Sequence, residues 1–365
     1  MIVINARFLT QAVTGVQRYA EQISLALKRL RDDVVFVTPH DIHSHAIAEA
    51  LQARCIGRLR GHLWEQIDLP RYLRQQGNPL LVSLCSTGPV FYANQIATHH
   101  DITYVRFPAT YSWQFRTAYR LMTPLLLARV RTLLTPSEFS KGEISRFYKI
   151  DPDRILTIPN AVIEHFRPDP QAQVERPYLL AVSSPSVHKN FARMIQAFLS
   201  LRGQPDLHLH IVGSTHGLFA EPDLQRLASR DPRIRFLGRL DDQELLAQYQ
   251  GATAFVFPSL YEGFGIPPLE AQACGCPVLA ARAASIPEVL RDSALYFDPL
   301  DIGQMAAAMQ RILHDPALRQ SLRRQGLANV ERFSWQRSAQ RLSLHIDTLL
   351  ATHARQRKTA NGSSK

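Results

Sequence analysis

Two series of short apolar runs alternating with amphipathic stretches, separated by a proline-rich gap, constrain this chain more than any other feature. In the first series Ile2–Asn5, Val34–Thr38, Leu80–Leu84, Gln95–Thr98 and Thr132–Thr135 read as strands. Tyr19–Arg31, Ile42–Gln52, Trp113–Val130 and Glu138–Tyr148 read as helices between them. Alternation of this kind builds β-α-β units, hence a parallel sheet with helices on both faces. From Ile158 to Tyr178 the pattern lapses, and Pro159, Pro168, Pro170 and Pro177 mark an inter-domain linker. A second series follows, with strands Leu179–Ser183, Leu207–Val212, Ile234–Leu237, Ala254–Phe257, Pro277–Ala280 and Leu295–Phe297. Its expected helices are Asn190–Leu201, Pro222–Ser229, Asp242–Gln250, Pro267–Ala273, Ile302–His314 and Pro316–Glu331. The reading is therefore α/β, with two Rossmann-like doubly wound domains over residues 1–165 and 166–334. A last helix covers 335–352, and the polar, basic stretch 353–365 is expected to be disordered. Ligands of such sheets sit beyond the carboxyl ends of the strands, in the cleft between the domains.

The 365 residues, 45% of them hydrophobic and 20% charged, suffice for two cores. Met1–Asn5 lacks the basic start and long apolar run of a signal peptide, and no apolar run reaches membrane-spanning length. A cytoplasmic protein is expected. Cys55, Cys85, Cys274 and Cys276 form no C-x-x-C pair and read as packing residues. The net charge of +11 is concentrated in residues 1–165 and after His353. A nucleic acid, an anionic membrane surface or a phosphorylated substrate would each answer it.

The chemistry concentrates between Ala254 and Ala273. An apolar strand, Ala254–Phe257, runs into Pro258-Ser-Leu-Tyr-Glu262-Gly263-Phe264-Gly265, and Ile266-Pro267-Pro268 opens a helix. Gly263 and Gly265 allow the backbone to approach a ligand closely. The prolines preset φ where missing N–H groups cost nothing. The helix start then offers unpaired N–H groups and partial positive charge to a diphosphate. Glu262 and Glu270 flank this anion site, and carboxylates suit the vicinal hydroxyls of a sugar or ribose. Singly, Glu262 reads as a solvated loop residue and Glu270 as a helix-start acid. Together with the glycines and prolines they read as a donor pocket.

This segment resembles the signature of the retaining GT-B glycosyltransferases of family 4, two glutamates with seven residues between them within P-S-x-x-E-G-F-G-x-P-x-x-E-A. The likeness continues through Ala273-Cys-Gly275-Cys-Pro277-Val278 and Ile286-Pro287-Glu288-Val289. The resemblance implies a GT-B fold whose last helix crosses back to the first domain. It implies that Glu262 organises the reacting centre, that Glu270 holds the ribose, and that backbone N–H groups from Phe264 to Ile266 bind sugar hydroxyls and phosphate. Lys189 would neutralise the leaving diphosphate; a solvated helix-start lysine is the plain alternative. The family's usual Gly-Arg is replaced by Ser183-Ser184, so Ser184 is a candidate donor contact. His100-Asp101 matches the family's His-Asp pair, with His100 suited to proton handling and Asp101 placed in the cleft; His99 reads as structural. Gly15 lies in the loop before the first helix, where a simple turn is the equal alternative. Asn160 sits at the hinge, as a cleft residue or a turn. Gly213, and Gly238-Arg239, are read as nucleotide contacts.

Asp151-Pro-Asp153 has the D-x-D pattern of a metal-diphosphate site but sits in a surface turn, so no metal and no cofactor is expected. The activity expected from the resemblance is retaining transfer of a hexosyl group to a lipid-linked glycan, as in lipopolysaccharide, capsule or exopolysaccharide synthesis. Trp64-Glu-Gln and His100–Pro108 resemble mannosyltransferase-like and rhamnosyltransferase-like members. They point to GDP-mannose or a GDP-deoxyhexose first and a UDP-sugar next. The arginine-bearing helix around Trp113–Val130 suits either an anionic membrane, at the inner face of the cytoplasmic membrane, or an ordinary solvated face. Two rivals are a nucleotide-sugar epimerase of the same fold, which would turn over donor alone, and a nucleic-acid-binding protein. No nucleic-acid module is recognisable, and no nucleic-acid partner is expected.

Overall fold

The computed structural model describes residues 1–169, 171, 177–183, 186–213 and 231–362, with side chains as far as 352. Ser184, Ser214 and the expected helix Pro222–Ser229 lie outside the described residues. The first sheet holds β1 (Ile2–Asn5), β2 (Val34–Thr38), β3 (Arg54–Cys55), β4 (Leu80–Ser83), β5 (Gln95–Thr98), β6 (Thr132–Thr135) and β7 (Ile155–Thr157). Every pairing is parallel, in the order β3-β2-β1-β4-β5-β6-β7. The second holds β8 (Tyr178–Val182), β9 (His208–Val212), β10 (Ile234–Gly238), β11 (Ala254–Phe257), β12 (Val278–Ala281) and β13 (Leu295–Phe297). It is parallel throughout, in the order β10-β9-β8-β11-β12-β13. Both sheets therefore run outward from a switch point, between β1 and β4 in one and β8 and β11 in the other. Ligands bind at such points.

β3 and β7 escape the sequence reading because they are edge strands of two and three residues, and β3 is exposed along its length. Missed too is the helical run Gly61–Leu63, Trp64–Asp68, Leu69–Gln75, interrupted by a π turn that breaks the 3.6-residue period.

Each sheet has its own core. Ile158 and Ala161 pack in the first and Phe166 in the second, so the chain changes domain between them. The last helix, Trp335–Gly362, returns to the first domain. Trp335, Ala339, Leu342 and Ile346 recur at helical spacing and pack with Tyr19, Ile23 and Leu27. Arg31 reaches Ser343 Oγ at 2.9 Å and Asp347 at 2.7 Å from the first helix, Gly15–Leu30. The helix is described as far as Gly362, ten residues beyond its expected end at Thr352. Ala354, Gln356, Arg357 and Lys358 are good helix formers, and propagating an existing helix is far easier than starting one.

Candidate active site

β11 is buried at all four residues and delivers the chain to the cleft at Pro258. Gly265 caps the helix Ile266–Ala273 with φ of 98°, a left-handed conformation that a side chain resists. Gly263 is required for a different reason. A Cβ there would lie 2.9 Å from both Asp101 Cβ and the His100 carbonyl, so only glycine lets the loop meet the first domain.

The loop's carbonyls are committed to three serines. The buried Ser285 hydroxyl lies 2.9 Å from the Glu262 carbonyl and 3.1 Å from that of Phe264. Ser137 and Ser140, from the first domain, both donate to the Gly263 carbonyl, at 2.6 and 3.0 Å. Pro267 and Pro268 carry no N–H, so the amide available to a ligand at the helix start is that of Ile266, beside the loop amides of Phe264 and Gly265. Across the same seam, the Glu288 carboxylate accepts from the N–H groups of Glu138 and Phe139, each at 2.8 Å. An acid from one domain thus caps a helix of the other.

Lys189 Nζ lies 2.7 Å from Glu262 Oε1, with side chains 16% and 13% exposed. Asn190 holds the lysine's turn in place with φ of 60°, its buried amide donating to the carbonyls of Pro258 at 3.1 Å and Pro299 at 2.7 Å. The loop after β8 is thereby fastened to the ends of β11 and β13.

These groups open on a cavity of about 600 Å³ between the domains. The second domain contributes Lys189, Gly213, Glu262 and the backbone from Gly263 to Ile266, with Arg239 beside them. The first domain contributes Gly15, His100, Asp101 and Asn160. His100 is buried, its Nε2 lies 3.2 Å from the Leu84 carbonyl, and it meets Tyr19 edge-on at 5.0 Å. The carbonyl assigns the proton to Nε2, and burial lowers the pKa, so the ring is neutral with Nδ1 as its basic nitrogen. Asp101 accepts from the Thr103 N–H at 2.8 Å, which fixes its turn. The buried Asn160 Oδ1 has no hydrogen-bond partner among the described residues. A Cβ at Gly15 would stand 3.7 Å from Ile266, an ordinary contact, so space does not demand glycine there.

Glu270 differs from its companion. It is not in the cavity wall, and it accepts from the buried Tyr249 hydroxyl at 3.0 Å. Burial pushes its carboxyl up to about 7, with the Tyr249 bond and Arg18 pulling down and Asp242 pushing up. His99 is structural, its Nε2 3.0 Å from the Tyr104 hydroxyl. Asp151 accepts from the Asp153 N–H within a surface turn. Sequence reasoning missed Ser137, Ser140 and Ser285. Their positions at helix starts were readable, but their reach to residues 262–264 was not.

Comparison with known proteins agrees with this geometry. The family description "Glycosyl transferases group 1" matches residues 162–328, and "Glycosyltransferase Family 4" matches residues 13–165. The chain is 31% identical over 270 residues to O-antigen chain mannosyltransferase B of Escherichia coli, covering 68% of this chain and 70% of that protein. It is 26% identical to the O-antigen chain mannosyltransferase RfbU of Salmonella typhimurium, over 85% of this chain and 90% of the other. In fold it superposes on a sucrose-phosphate synthase from Thermosynechococcus elongatus with a TM-score of 0.77 at 21% identity, over 96% and 99% of the two chains. Two parallel sheets facing across a cleft, a glycine loop opening a helix in that cleft, and matches that together span both domains lead to one conclusion: this chain belongs to the group 1, family 4 glycosyltransferases, enzymes of the GT-B fold.

Proposed function

We propose that the protein transfers a mannosyl or deoxyhexosyl group, with retention of configuration, from a GDP-linked donor to a lipid-linked glycan in surface polysaccharide synthesis. The observation that carries this reading is the 2.7 Å contact of Lys189 with Glu262 beside the Gly265–Ile266 helix start. An ammonium and a set of backbone N–H groups meet the diphosphate there, while the carboxylate beside them meets the sugar. The acceptor attacks from the face the phosphate leaves, and the departing phosphate takes the acceptor's proton. Lys189 and the helix start stabilise the charge that develops as the glycosidic bond breaks. With phosphate charge answered in this way, transfer requires no metal and proceeds in EDTA. The two O-antigen mannosyltransferases among its relatives support mannose as donor sugar and a glycan acceptor.

The acceptor's lipid motivates a membrane-facing surface. Phe91, Trp113, Leu121 and Leu63 are exposed, and Arg116, Arg120 and Arg129 stand among them, Arg129 over the Phe91 ring at 5.4 Å. Apolar anchors with arginines suit the inner face of the cytoplasmic membrane. No helix among the described residues is long and apolar enough to cross it.

A ligand that binds only the native state raises the unfolding temperature. GDP-mannose should therefore raise Tm more than UDP-glucose does, and NMR of the transferred product should show the donor's anomeric configuration. A shift with UDP-glucose alone transfers the reading to UDP donors, and an inverted product removes the retaining mechanism.

A further inference from the structure

The first-domain side of the cleft carries an aromatic stack that the donor chemistry does not use. Tyr111, Phe115 and Tyr119 recur every fourth residue at and within the helix Trp113–Arg129. Their rings stack in series, 4.9 Å from Tyr111 to Phe115 and 4.1 Å from Phe115 to Tyr119, and Tyr104 packs edge-on against all three. Besides burial, the charges of Asp101 and Glu262 raise the pKa of the Tyr111 hydroxyl. At the other end, the Tyr119 hydroxyl stands in the field of Arg7 and Glu65.

Phe115 covers one face of Tyr119, and the ring is a wall of a second cavity, of about 230 Å³. Met122, Val90 and Leu126 make it largely apolar, with His62, Ser86, Thr87 and Thr123 as its polar side chains. Behind Thr87 lies a buried ion pair. Arg7 Nε is 3.3 Å from Glu65 Oε1, with side chains 8% and 1% exposed. Arg7 Nη2 donates to Thr87 Oγ1 at 2.8 Å, and Thr87 donates on to Glu65 Oε1 at 3.1 Å. Asn5, the last residue of β1, donates to the same oxygen at 2.7 Å. Taking two charges out of water is costly. This pair stands at the carboxyl end of the switch-point strands, where ligands are held.

We infer that this cavity is a second sugar subsite, which seats the acceptor residue behind the one that receives the transferred group. The inference rests on the glycosyltransferase reading in taking the acceptor to be a glycan. A pyranose has an apolar C–H face, for which the Tyr119 ring is a platform, and equatorial hydroxyls, for which Thr87 and His62 are partners. The ring is held still by its stack, so little ordering entropy is lost on binding.

The test titrates the full chain with methyl α-mannoside, α-mannotriose and farnesyl phosphate, followed by ligand-observed NMR. The wild type should bind the trisaccharide about tenfold more tightly than the monosaccharide. Tyr119→Ala should bring the two affinities together, and Tyr119→Phe, which keeps the ring, should retain the difference. Met122→Trp fills the cavity from its other wall and should erase the difference as well, an independent check should Tyr119→Ala unfold. Equal affinities in the wild type overturn the subsite. So does a difference that survives both Tyr119→Ala and Met122→Trp. Farnesyl phosphate binding that depends on Tyr119, with mannotriose unaffected, also overturns it and makes the cavity a lipid seat. If no nucleotide sugar supports transfer yet the length dependence holds, the enzymatic reading falls and the subsite stands. Transfer without length dependence does the reverse.

Discussion

In the second domain the cleft wall is centred on one stretch of backbone, Glu262 to Ile266, held by hydroxyls from Ser137, Ser140 and Ser285, with Lys189, Gly213 and Arg239 beside it. In the first domain it is assembled from side chains far apart in the chain: His100, Asp101 and Asn160 around the main cavity, and Thr87 and Tyr119 around the smaller one. A backbone wall presents N–H groups at fixed positions, which suits a diphosphate, whose chemistry is the same whatever sugar it carries. A side-chain wall takes its shape from whatever residues stand on the scaffold, which suits an acceptor that differs from one glycan to another. On the proposed function, the contrast divides labour across the cleft, with constant chemistry on one wall and selection on the other.

The hardest blow to that division is Glu262→Ala. If the second-domain wall carries the chemistry, kcat falls by about 10²–10³, the scale of losing one preorganised electrostatic contact in an active site. The chain should still fold, but with a lowered unfolding temperature, because the mostly buried Lys189 ammonium loses its partner. Normal turnover would sink the assignment. Ser285→Ala tests whether the wall's backbone must be held. It strips the hydroxyl from two carbonyls and should cost about 1–3 kcal/mol of stability. The donor KM should rise while the preference for longer acceptors persists; a change in acceptor preference instead would mean that the walls are not separable.

The smallest effect concerns Glu270. Its carboxyl rises from an ordinary 4.5 to about 7, so between those values the folded chain keeps a proton that the unfolded chain releases. The group's contribution to stability is therefore greatest below pH 4.5 and is lost as pH rises through about 7. Glu270→Gln should flatten that slope in a pH series of unfolding curves. If Glu270 holds the ribose, its ionised form accepts the hydroxyls better, and donor affinity should improve over the same rise. A donor KM independent of pH from 6 to 8 would remove Glu270 from ribose binding.

Much of the donor wall was legible because its constraints are local. Gly265 must be a glycine for its φ, and Pro267 and Pro268 suit only a helix start. The order of residues 254–270 therefore reads directly as strand, loop and helix start. The first-domain wall was legible only at His100, Asp101, Gly15 and Asn160, which stand at turns that the strand pattern locates. Tyr119 sat in a helix recognised at once, but as one member of an ordinary core or basic face. Its stack with Phe115 appears only when Tyr104 packs against the same rings.

By itself, the sequence determined that there are two doubly wound sheets, that a linker joins them near residue 165, and that the chain turns after Glu262 into a helix start at Ile266. Period, proline and glycine act within a few residues and leave little to long-range packing. Only the tertiary structure decided that Lys189 meets Glu262 across 73 residues, that Arg7 is buried against Glu65, and that Glu270 titrates near neutrality. The physical reason is that the energy of a charge depends on what surrounds it, and those surroundings exist only after distant segments have packed together.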